Sequence, residues 1–128
     1  MNFERVTALA QGSFCHVCTE VRFHEDTTDP IFGWSLRNEA RHVVFATSSQ
    51  WDHPHTGTYR AGETVQVRIG FTMRLAASLY SLSPWLARSG AGHDVLDARE
   101  DLTSLLVHST RSTGGVVDLE QVFEFRRL

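Results

Sequence analysis

The sequence predicts an all-β domain, an antiparallel β-sandwich of about eight strands with an immunoglobulin-like arrangement. Three observations support this prediction. Apolar and polar residues alternate over several segments, turn signals recur about every ten residues, and no long helix is indicated. A barrel is the alternative architecture. The Cys…Trp…Cys spacing of true immunoglobulin domains is absent, so the likeness concerns architecture alone.

The clearest strand covers residues 64–74, where apolar and polar side chains alternate. Successive side chains of a strand point to opposite faces, so one face is apolar and the other is wet. The apolar face carries Val65, Val67, Ile69, Phe71 and Met73, and the polar face carries Thr64, Gln66, Arg68, Gly70, Thr72 and Arg74. A break at 76–78 and an apolar segment at 79–83 predict an antiparallel hairpin, whose apolar face needs a second layer.

Six further segments show the pattern of strands and are separated by polar or glycine-containing turns. These segments are residues 3–9, 14–25, 31–37, 42–47, 102–109 and 116–125. The segment 31–37 is apolar on both faces, which predicts a central strand with Trp34 in the core. Residues 94–101 are predicted to hold a helical turn, while 26–30, 48–58 and 89–93 are predicted loops.

Length and charge restrict the classes of function. The 128 residues form one domain, 1–128, that is long enough to bury a single core. A formal net charge of −3 gives neither a nucleic-acid footprint nor a patch for anionic membranes. The chain has no run of 18 apolar residues and no signal-peptide pattern, so a cytoplasmic location is expected.

Cys15 and Cys18 form the only Cys-x-x-Cys spacing, which elsewhere marks metal or redox sites. Here the surrounding pattern predicts a strand, and positions three apart on a strand point to opposite faces. That geometry is poor for a shared metal or a disulfide. The sequence therefore favours structural thiols over a functional pair.

Catalytic motifs are absent from the sequence. It contains no phosphate loop, no GxGxxG after a strand, no GxSxG elbow and no HExxH. The cluster Asp52-His53-Pro54-His55 has ligand-like chemistry, but a third ligand is not evident. A solvated loop is the preferred interpretation, and a metal-dependent enzyme at His53 and His55 is kept as a third hypothesis. We therefore predict no metal, no cofactor and no enzymatic activity.

Four segments taken together resemble one known family. They are DPIFGWSLRNEARHVVFATSS, YRAGETVQVRIGFTMRLAASLYSLSP, DVLDAREDLTSLLV and TGGVVDLEQVFEF. The family is the C-terminal domain of the ATP-binding subunit of bacterial polysaccharide exporters, the Wzt type that exports O-antigen. The likeness runs from residue 5 to residue 125, and its pieces stand in family order, among them Pro30–Gly33, Tyr80 and Gly115–Leu119.

The resemblance implies a β-sandwich that binds the exported polysaccharide and works with the ATPase and membrane subunits of an ABC transporter. It implies a homodimer, which some members form by exchanging a terminal strand. It also implies an ATPase domain on the same polypeptide, so this chain is expected to be an excised domain or a stand-alone relative. Ser78-Leu79 precedes Tyr80 where the family has a glycine, which concerns the turn and not the fold.

Candidate sugar-binding residues follow from the chemistry of carbohydrates. An aromatic ring stacks on the apolar face of a sugar while polar side chains bind its hydroxyls. Trp51, in the polar loop beside His53, is the first candidate, and Trp85 is the second because its parity is opposite to that of Tyr80 and Leu82. The polar candidates lie on the wet face of the long strand: Gln66, Arg68, Thr72 and Arg74. The alternative for each is an ordinary solvated sheet face.

Two functions of different classes therefore compete. The first is a non-catalytic carbohydrate-binding domain that recognises a cell-surface polysaccharide for ABC-transporter export. The second is a dimerisation module that binds no glycan and uses a sheet edge or strand exchange for assembly. Loss of glycan binding on Trp51→Ala or Trp85→Ala separates them.

Overall fold

The computed structural model describes residues 2–3, 8–88, 94–109 and 114–128, and every regular element within these ranges is a β-strand. There are eleven such strands. They are β1 (Asn2–Phe3), β2 (Ala8–Ala10), β3 (Phe14–Arg22), β4 (Thr27–Thr28), β5 (Ile31–Arg37), β6 (Val43–Ser48), β7 (Thr58–Tyr59), β8 (Thr64–Thr72), β9 (Ser78–Arg88), β10 (Asp94–Ala98) and β11 (Thr103–His108).

Two sheets pack face to face and form the predicted all-β sandwich. One sheet has three strands in the order β1-β3-β8. The other has the order β2-β11-β9-β5-β6, with β10 also paired to β9. Pairing is antiparallel throughout except between β2 and β11, and the short strands β4 and β7 pair separately. The shared core contains buried side chains of both sheets, so the second layer that the alternation requires is present.

The long strands β3 and β8 pair along their whole length, from Phe14 opposite Thr72 to Arg22 opposite Thr64. Their alternation is as predicted. The inward residues of β3 are buried, Val17 to 2% exposure, whereas the inward residues of β8 from Val65 to Phe71 are only half-buried. The difference arises because β8 is the last strand of its sheet in the part of the chain that the structure describes.

Strand β5 is central, as predicted, since it lies between β6 and β9. Its Trp34 is buried in the core. The Trp34 ring lies 5.4 Å from the ring of Phe45 on β6 and 5.7 Å from that of Phe71 on β8. Trp34 therefore spans the space between the outer strands of the two sheets.

The predicted hairpin at residues 64–83 is wrong. Strand β8 pairs with β3, whereas β9 pairs with β5, β10 and β11 in the other sheet. The intervening segment carries the chain across the sandwich, and its Met73 and Ala76 are buried. Alternation defines which face of a strand is buried but does not define its partner, so the sequence favoured the nearest segment.

Residues 94–98 form a strand and not the predicted helical turn. The strand β10 pairs with β9, with a bulge between Val95 and Asp97. A single helical turn is unfavourable because its nucleation costs more free energy than its few hydrogen bonds return. The edge of β9, by contrast, offers backbone hydrogen-bond partners to a strand. Residues 26–30 were likewise predicted as loop but contain the short strand β4. The predicted loop at 89–93 lies outside the described residues, as do residues 110–113 between the predicted strands 102–109 and 116–125.

The predicted last strand, 116–125, is also absent from the described structure. A single bridge joins Val117 to Leu75, with the Ala76 amide donating to the Val116 carbonyl at 3.1 Å. At Glu120 the backbone turns left-handed, with φ of 54°. The Asp118 carboxylate accepts the Glu120 amide at 2.9 Å. Beyond this kink the tail, residues 121–128, is exposed and pairs with none of the described strands.

The two cysteines lie on opposite faces of β3, as the strand geometry predicts. Cys15 is buried and Cys18 is half-buried, and both are free thiols. Burial raises the pKa of the Cys15 thiol, which keeps it protonated and unreactive.

Candidate functional site

A shallow groove on the outer face of the six-stranded sheet brings both predicted tryptophans together. We call it the tryptophan groove. It has a volume of about 540 Å³ and is lined by Ala46, Thr47, Ser48, Gln50, Trp51, Trp85 and Val95. Three different parts of the chain meet there: β6 with the turn that follows it, β9, and β10. Sequence analysis predicted each tryptophan as a candidate on its own, and nothing in the sequence indicated that the two rings share one surface.

Trp85 is held on the outer face by the parity of β9 and by the strand next to it. Tyr80, Leu82 and Leu86 point inward and are buried, so Trp85 points outward as predicted. Its neighbour across the ladder is Gly33. A Cβ atom at position 33 would lie 2.2 Å from the Trp85 ring, so the indole rests directly on the glycine backbone. The glycine is therefore part of the groove, a role that sequence analysis missed because it depends on strand register.

Trp51 lies in the turn after β6, residues 49–53, which we call the Trp51 turn. The base of this turn is fixed to β5: the Ser49 amide donates to the Phe32 carbonyl at 2.8 Å, and the Phe32 amide donates to the Ser49 hydroxyl at 3.0 Å. The His53 amide closes the turn on the Ser49 carbonyl at 2.9 Å. The Trp51 ring itself is 84% exposed, so a rigid base presents a large apolar surface to solvent.

Small hydroxyl side chains continue the outer face beyond the groove. Ser35 and Ser83 are direct neighbours on β5 and β9. Ser83 accepts the Asp101 amide at 2.9 Å, and Asp101 in turn accepts the Ser81 hydroxyl at 2.7 Å and Arg41 at 2.6 Å. The Arg41 guanidinium, followed by the Ser81 hydroxyl, lowers the pKa of Asp101, so the carboxylate stays ionised. Ser83 itself is buried, so the half-buried Ser35 and Ser81 are the hydroxyl side chains of this face that a sugar can reach.

The predicted polar candidates lie on a different surface. Gln66, Arg68 and Thr72 point outward from the three-stranded sheet, on the opposite side of the sandwich from Trp85. Arg68 lies 3.4 Å from a ring nitrogen of His16, and Arg74 pairs with Glu120 at 3.2 Å. The structure therefore does not bring these side chains to the tryptophan groove.

His53 lies between the two surfaces, in a cleft at the open side of the sandwich. We call it the edge cleft. It has a volume of about 350 Å³ and is lined by Phe32, Thr47, Ser48, Ser49, Asp52, His53, Val67, Arg68, Ile69 and Gly70. Thr47 and Ser48 line both cavities, so the end of β6 is the wall between the edge cleft and the tryptophan groove.

His55, the other histidine of the predicted cluster, contacts an aspartate. Its Nδ1 atom lies 3.3 Å from the Asp29 carboxylate, which also accepts the Gly57 amide at 3.0 Å. The Gly57 amide and then His55 lower the pKa of Asp29. No group of three metal-binding side chains exists among the residues that the structure describes. These contacts connect the loop that carries His55 and Gly57 to Asp29, the residue before Pro30.

A family model described as the Wzt C-terminal domain matches residues 1–119. The chain belongs to the Wzt C-terminal domain family. The predicted resemblance is thereby confirmed, and with it the domain's identity as a component of polysaccharide ABC exporters.

A solved structure has the same fold as this Wzt-type domain. It is described as the crystal structure of the C-terminal domain of Wzt, and it superposes with a TM-score of 0.84 at 19% sequence identity. The match covers 93% of this chain and 74% of the other. No curated protein matches the sequence. At this identity the likeness shows the fold, so the chemistry of the surface depends on the side chains described above.

None of the described residues of this Wzt-type domain forms a helix that could cross a membrane.

Proposed function

We propose that this Wzt-type domain is a non-catalytic carbohydrate-binding domain that recognises a bacterial cell-surface polysaccharide, of the O-antigen kind, for export. The observation that carries the proposal is the pairing of Trp51 and Trp85 in one exposed groove. Indole rings present large flat faces that stack on the apolar faces of sugar rings. Isolated tryptophans on a protein surface are common, but two that line the same groove favour a binding site.

The surroundings of the rings suit a polymer. Besides the two rings, the groove is lined by the small residues Ala46, Thr47 and Ser48, which leave room for a sugar chain. The half-buried Ser35 and Ser81 offer hydroxyl partners on the same face. We propose the tryptophan groove as the primary contact. Gln66, Arg68, Thr72 and Arg74, with His53 at the edge cleft, stay candidates for a second contact.

The test is binding of purified protein to an array of bacterial polysaccharides that includes the surface glycan of the host. We expect one polymer to bind, and Trp51→Ala or Trp85→Ala to abolish the signal. Phe14→Ala is the control because Phe14 is an exposed aromatic on the other sheet, at 65% exposure against 84% for Trp51. Binding that survives both tryptophan variants but is lost in Arg68→Ala would move the site to the opposite face.

We also propose that the domain forms a homodimer by exchanging its terminal strand. The supporting observation is the tail, which exposes Val122 and Phe123, the latter by 75%, and Phe125 by 92%. Monomeric proteins rarely leave a contiguous apolar segment without cover. Sedimentation of the whole chain and of a chain ending at residue 119 tests this. A dimer that persists without the tail contradicts the exchange, and silence on the glycan array with an intact dimer favours the assembly function alone.

The partners that follow from the proposal are the ATPase and membrane subunits of an ABC transporter. The domain would act at the inner face of the cell membrane through them, without inserting into the bilayer itself. The recognition step requires no catalytic residue because it binds the polymer and leaves its bonds intact. Incubation of the polymer with the protein, followed by chain-length analysis, tests this point, since shortened polymer would indicate an enzyme.

A further inference from the structure

The outer edge of β8 has backbone groups that point away from its sheet. Just beyond the end of β8, the Met73 amide donates to the Ser13 carbonyl at 2.9 Å and the Met73 carbonyl accepts the Gly12 amide at 2.7 Å, both in the segment that leads into β3. Bonding directions alternate along a strand, so the even-numbered residues of β8 direct their amides and carbonyls to the opposite side. Among the strands that the structure describes, none pairs with that side. The edge is therefore a template for a further strand.

The start of such a strand is already in place. Arg74 accepts the Asp118 amide and Ala76 donates to Val116, which are two rungs of an antiparallel ladder around the bridge between Leu75 and Val117. In an antiparallel ladder, each step forward on one strand is a step back on the other. Continued in this register, the tail faces β8 residue by residue: Gln121 opposite Phe71, Val122 opposite Gly70, Phe123 opposite Ile69, Glu124 opposite Arg68 and Phe125 opposite Val67.

The inward face of the tail matches the edge cleft in this register. Phe123 and Phe125 point inward with Ile69 and Val67, which are half-buried and line the cleft. Moving each aromatic side chain into such a cleft is favourable because it removes apolar surface from water. The two rings would cover the apolar surface that β8 leaves exposed.

The outward face matches as well. Glu124 would stand directly across from Arg68, and cross-strand pairs of opposite charge stabilise a ladder. Val122 would stand across from Gly70, over which Phe14 lies so closely that a Cβ there would be 2.8 Å from its ring. The apolar, exposed Phe14 thus gains a neighbour.

The strand comes from a second copy of this chain and not from the chain itself. Glu120, with its left-handed backbone and its amide bonded to Asp118, turns the tail away from its own β8. Exchanged elements reproduce in the partner the contacts that they would make at home. The same register therefore applies between two copies, with Glu120 as the hinge.

We propose that the exchanged tail, seated in the edge cleft, braces the Trp51 turn, so that dimer formation and glycan binding are thermodynamically linked. This inference rests on the proposed strand exchange and on the proposed groove. The physical link is the end of β6, because Thr47 and Ser48 line both cavities. Ser49 and His53, which line the cleft or close the turn, also hold Trp51 in its position.

The linkage has a defined sign. Phe123 and Phe125 would pack beneath the Trp51 turn and restrict its opening, so a polymer that needs the turn in place binds the dimer more tightly than the monomer. Linkage is reciprocal, so polymer must strengthen the dimer by the same factor. We expect a factor of roughly ten, within the range typical of coupled sites.

Disulfide trapping tests where the exchanged tail binds and in which register it pairs with β8. Arg68→Cys is combined with Glu124→Cys in a Cys18→Ser background, since Cys18 lies opposite Arg68 on β3 and would compete. Mild oxidation is expected to give a covalent dimer on a non-reducing gel. The matched control is Thr72→Cys with Glu124→Cys, which shifts the thiol four residues, or about 13 Å, along the same face and is expected to give none.

Amide hydrogen exchange tests, in the absence of glycan, whether the exchanged tail stabilises the Trp51 turn. The Ser49 and His53 amides are hydrogen-bonded, so their exchange reports opening of the Trp51 turn. Exchange is expected to slow roughly tenfold when the concentration is raised from below to above the dimer dissociation constant. Phe123→Ser with Phe125→Ser should abolish the change, whereas Leu128→Ser, beyond the paired segment, should preserve it.

The outcomes separate the claims. If the protein is a dimer but Arg68→Cys and Glu124→Cys do not crosslink, the proposed binding position and register of the tail are wrong. A crosslinked dimer whose Ser49 and His53 exchange is unchanged overturns the linkage but leaves the strand exchange standing. A chain that stays monomeric at every concentration removes both the exchange and this inference, while glycan binding is decided separately by the array and the tryptophan variants.

Discussion

Strands β3 and β8 belong to one sheet, have the same length and pair residue for residue, yet their inward faces differ in burial. The inward residues of β3, such as Val17 and Val21, are buried, whereas Val67 and Ile69 on β8 are half-buried. The sequence patterns of the two strands are alike, so the difference comes from position. Strand β3 has neighbours on both sides, and β8 has one in the described structure.

The comparison teaches that β8 has the composition of an internal strand at the position of an edge strand. Natural edge strands are usually blunted by charge, bulges or proline. Strand β8 has Arg68 on its outward face but keeps a regular backbone over nine residues and an apolar inward face. Such a strand is suited to receive a partner.

The largest expected effect comes from removing the apolar face of that partner. Phe123→Ser combined with Phe125→Ser should raise the dimer dissociation constant at least about a hundredfold, since two buried aromatic side chains contribute about 3 kcal/mol or more. Analytical ultracentrifugation measures the constant, with Leu128→Ser as the control. Dimerisation of unchanged strength would mean that β8 stays uncovered and that its resemblance to an internal strand needs another cause.

The next largest effect contrasts the same substitution on both strands. Val17→Ala removes a fully buried group and should cost about 2 kcal/mol of unfolding free energy, whereas Val67→Ala should cost about 1 kcal/mol in the monomer. Urea denaturation measures both values. At protein concentrations where the tail is seated, the cost of Val67→Ala should approach that of Val17→Ala. Equal costs in the monomer would show that the edge is already covered.

A smaller effect sharpens the comparison of the two outer faces. Gly33→Ala places a methyl group where the Trp85 ring lies and should displace the indole from the tryptophan groove. We expect about a tenfold loss of polysaccharide affinity, or 1.4 kcal/mol. Glu20→Ala, at an exposed position on the outer face of the three-stranded sheet that is not among the candidate contacts, is the control and should leave affinity unchanged. The reverse pattern would assign recognition to the other face.

The smallest effect concerns Asp29, which lies between β4 and β5 and contacts His55 and Gly57 on the loop that follows the Trp51 turn. The folded state lowers the pKa of this carboxyl from its ordinary value of 3.8. The ionised group therefore stabilises the fold above that pH, and the contribution is lost as pH falls through the lowered pKa. The protection of the Gly57 amide, measured as its exchange rate relative to that of an unstructured peptide at the same pH, should fall below about pH 4. In Asp29→Asn the amide keeps an acceptor that does not titrate, so the same loss of protection there would exclude Asp29 as its cause.

Alternation predicted the strands β3, β5, β6 and β8 and the burial of Trp34 because side-chain direction is a local property. It did not predict that β8 and β9 belong to different sheets, since partner choice depends on the packing of the whole chain. The tail shows the same limit in reverse. Its pattern is that of a strand, but the backbone turns at Glu120, and residues 121–128 pair with no strand that the structure describes.

The candidate site was predicted in part. Trp51 and Trp85 were chosen because exposed indoles suit sugars, and both line one groove. Arg68 and Gln66 were chosen from a wet face that belongs to the opposite sheet. Gly33 was missed because a glycine in an apolar strand indicates a close approach without revealing to what. Only the register between β5 and β9 shows that the ring of Trp85 lies over Gly33.

The glycine under Trp85 also bears on how recognition changes during evolution. The groove depends on the absence of a side chain at position 33, so one nucleotide change that replaces the glycine removes the platform while the inner core is left as it is. Under the proposed function, that one change removes the polymer contact of this surface while the fold stays intact.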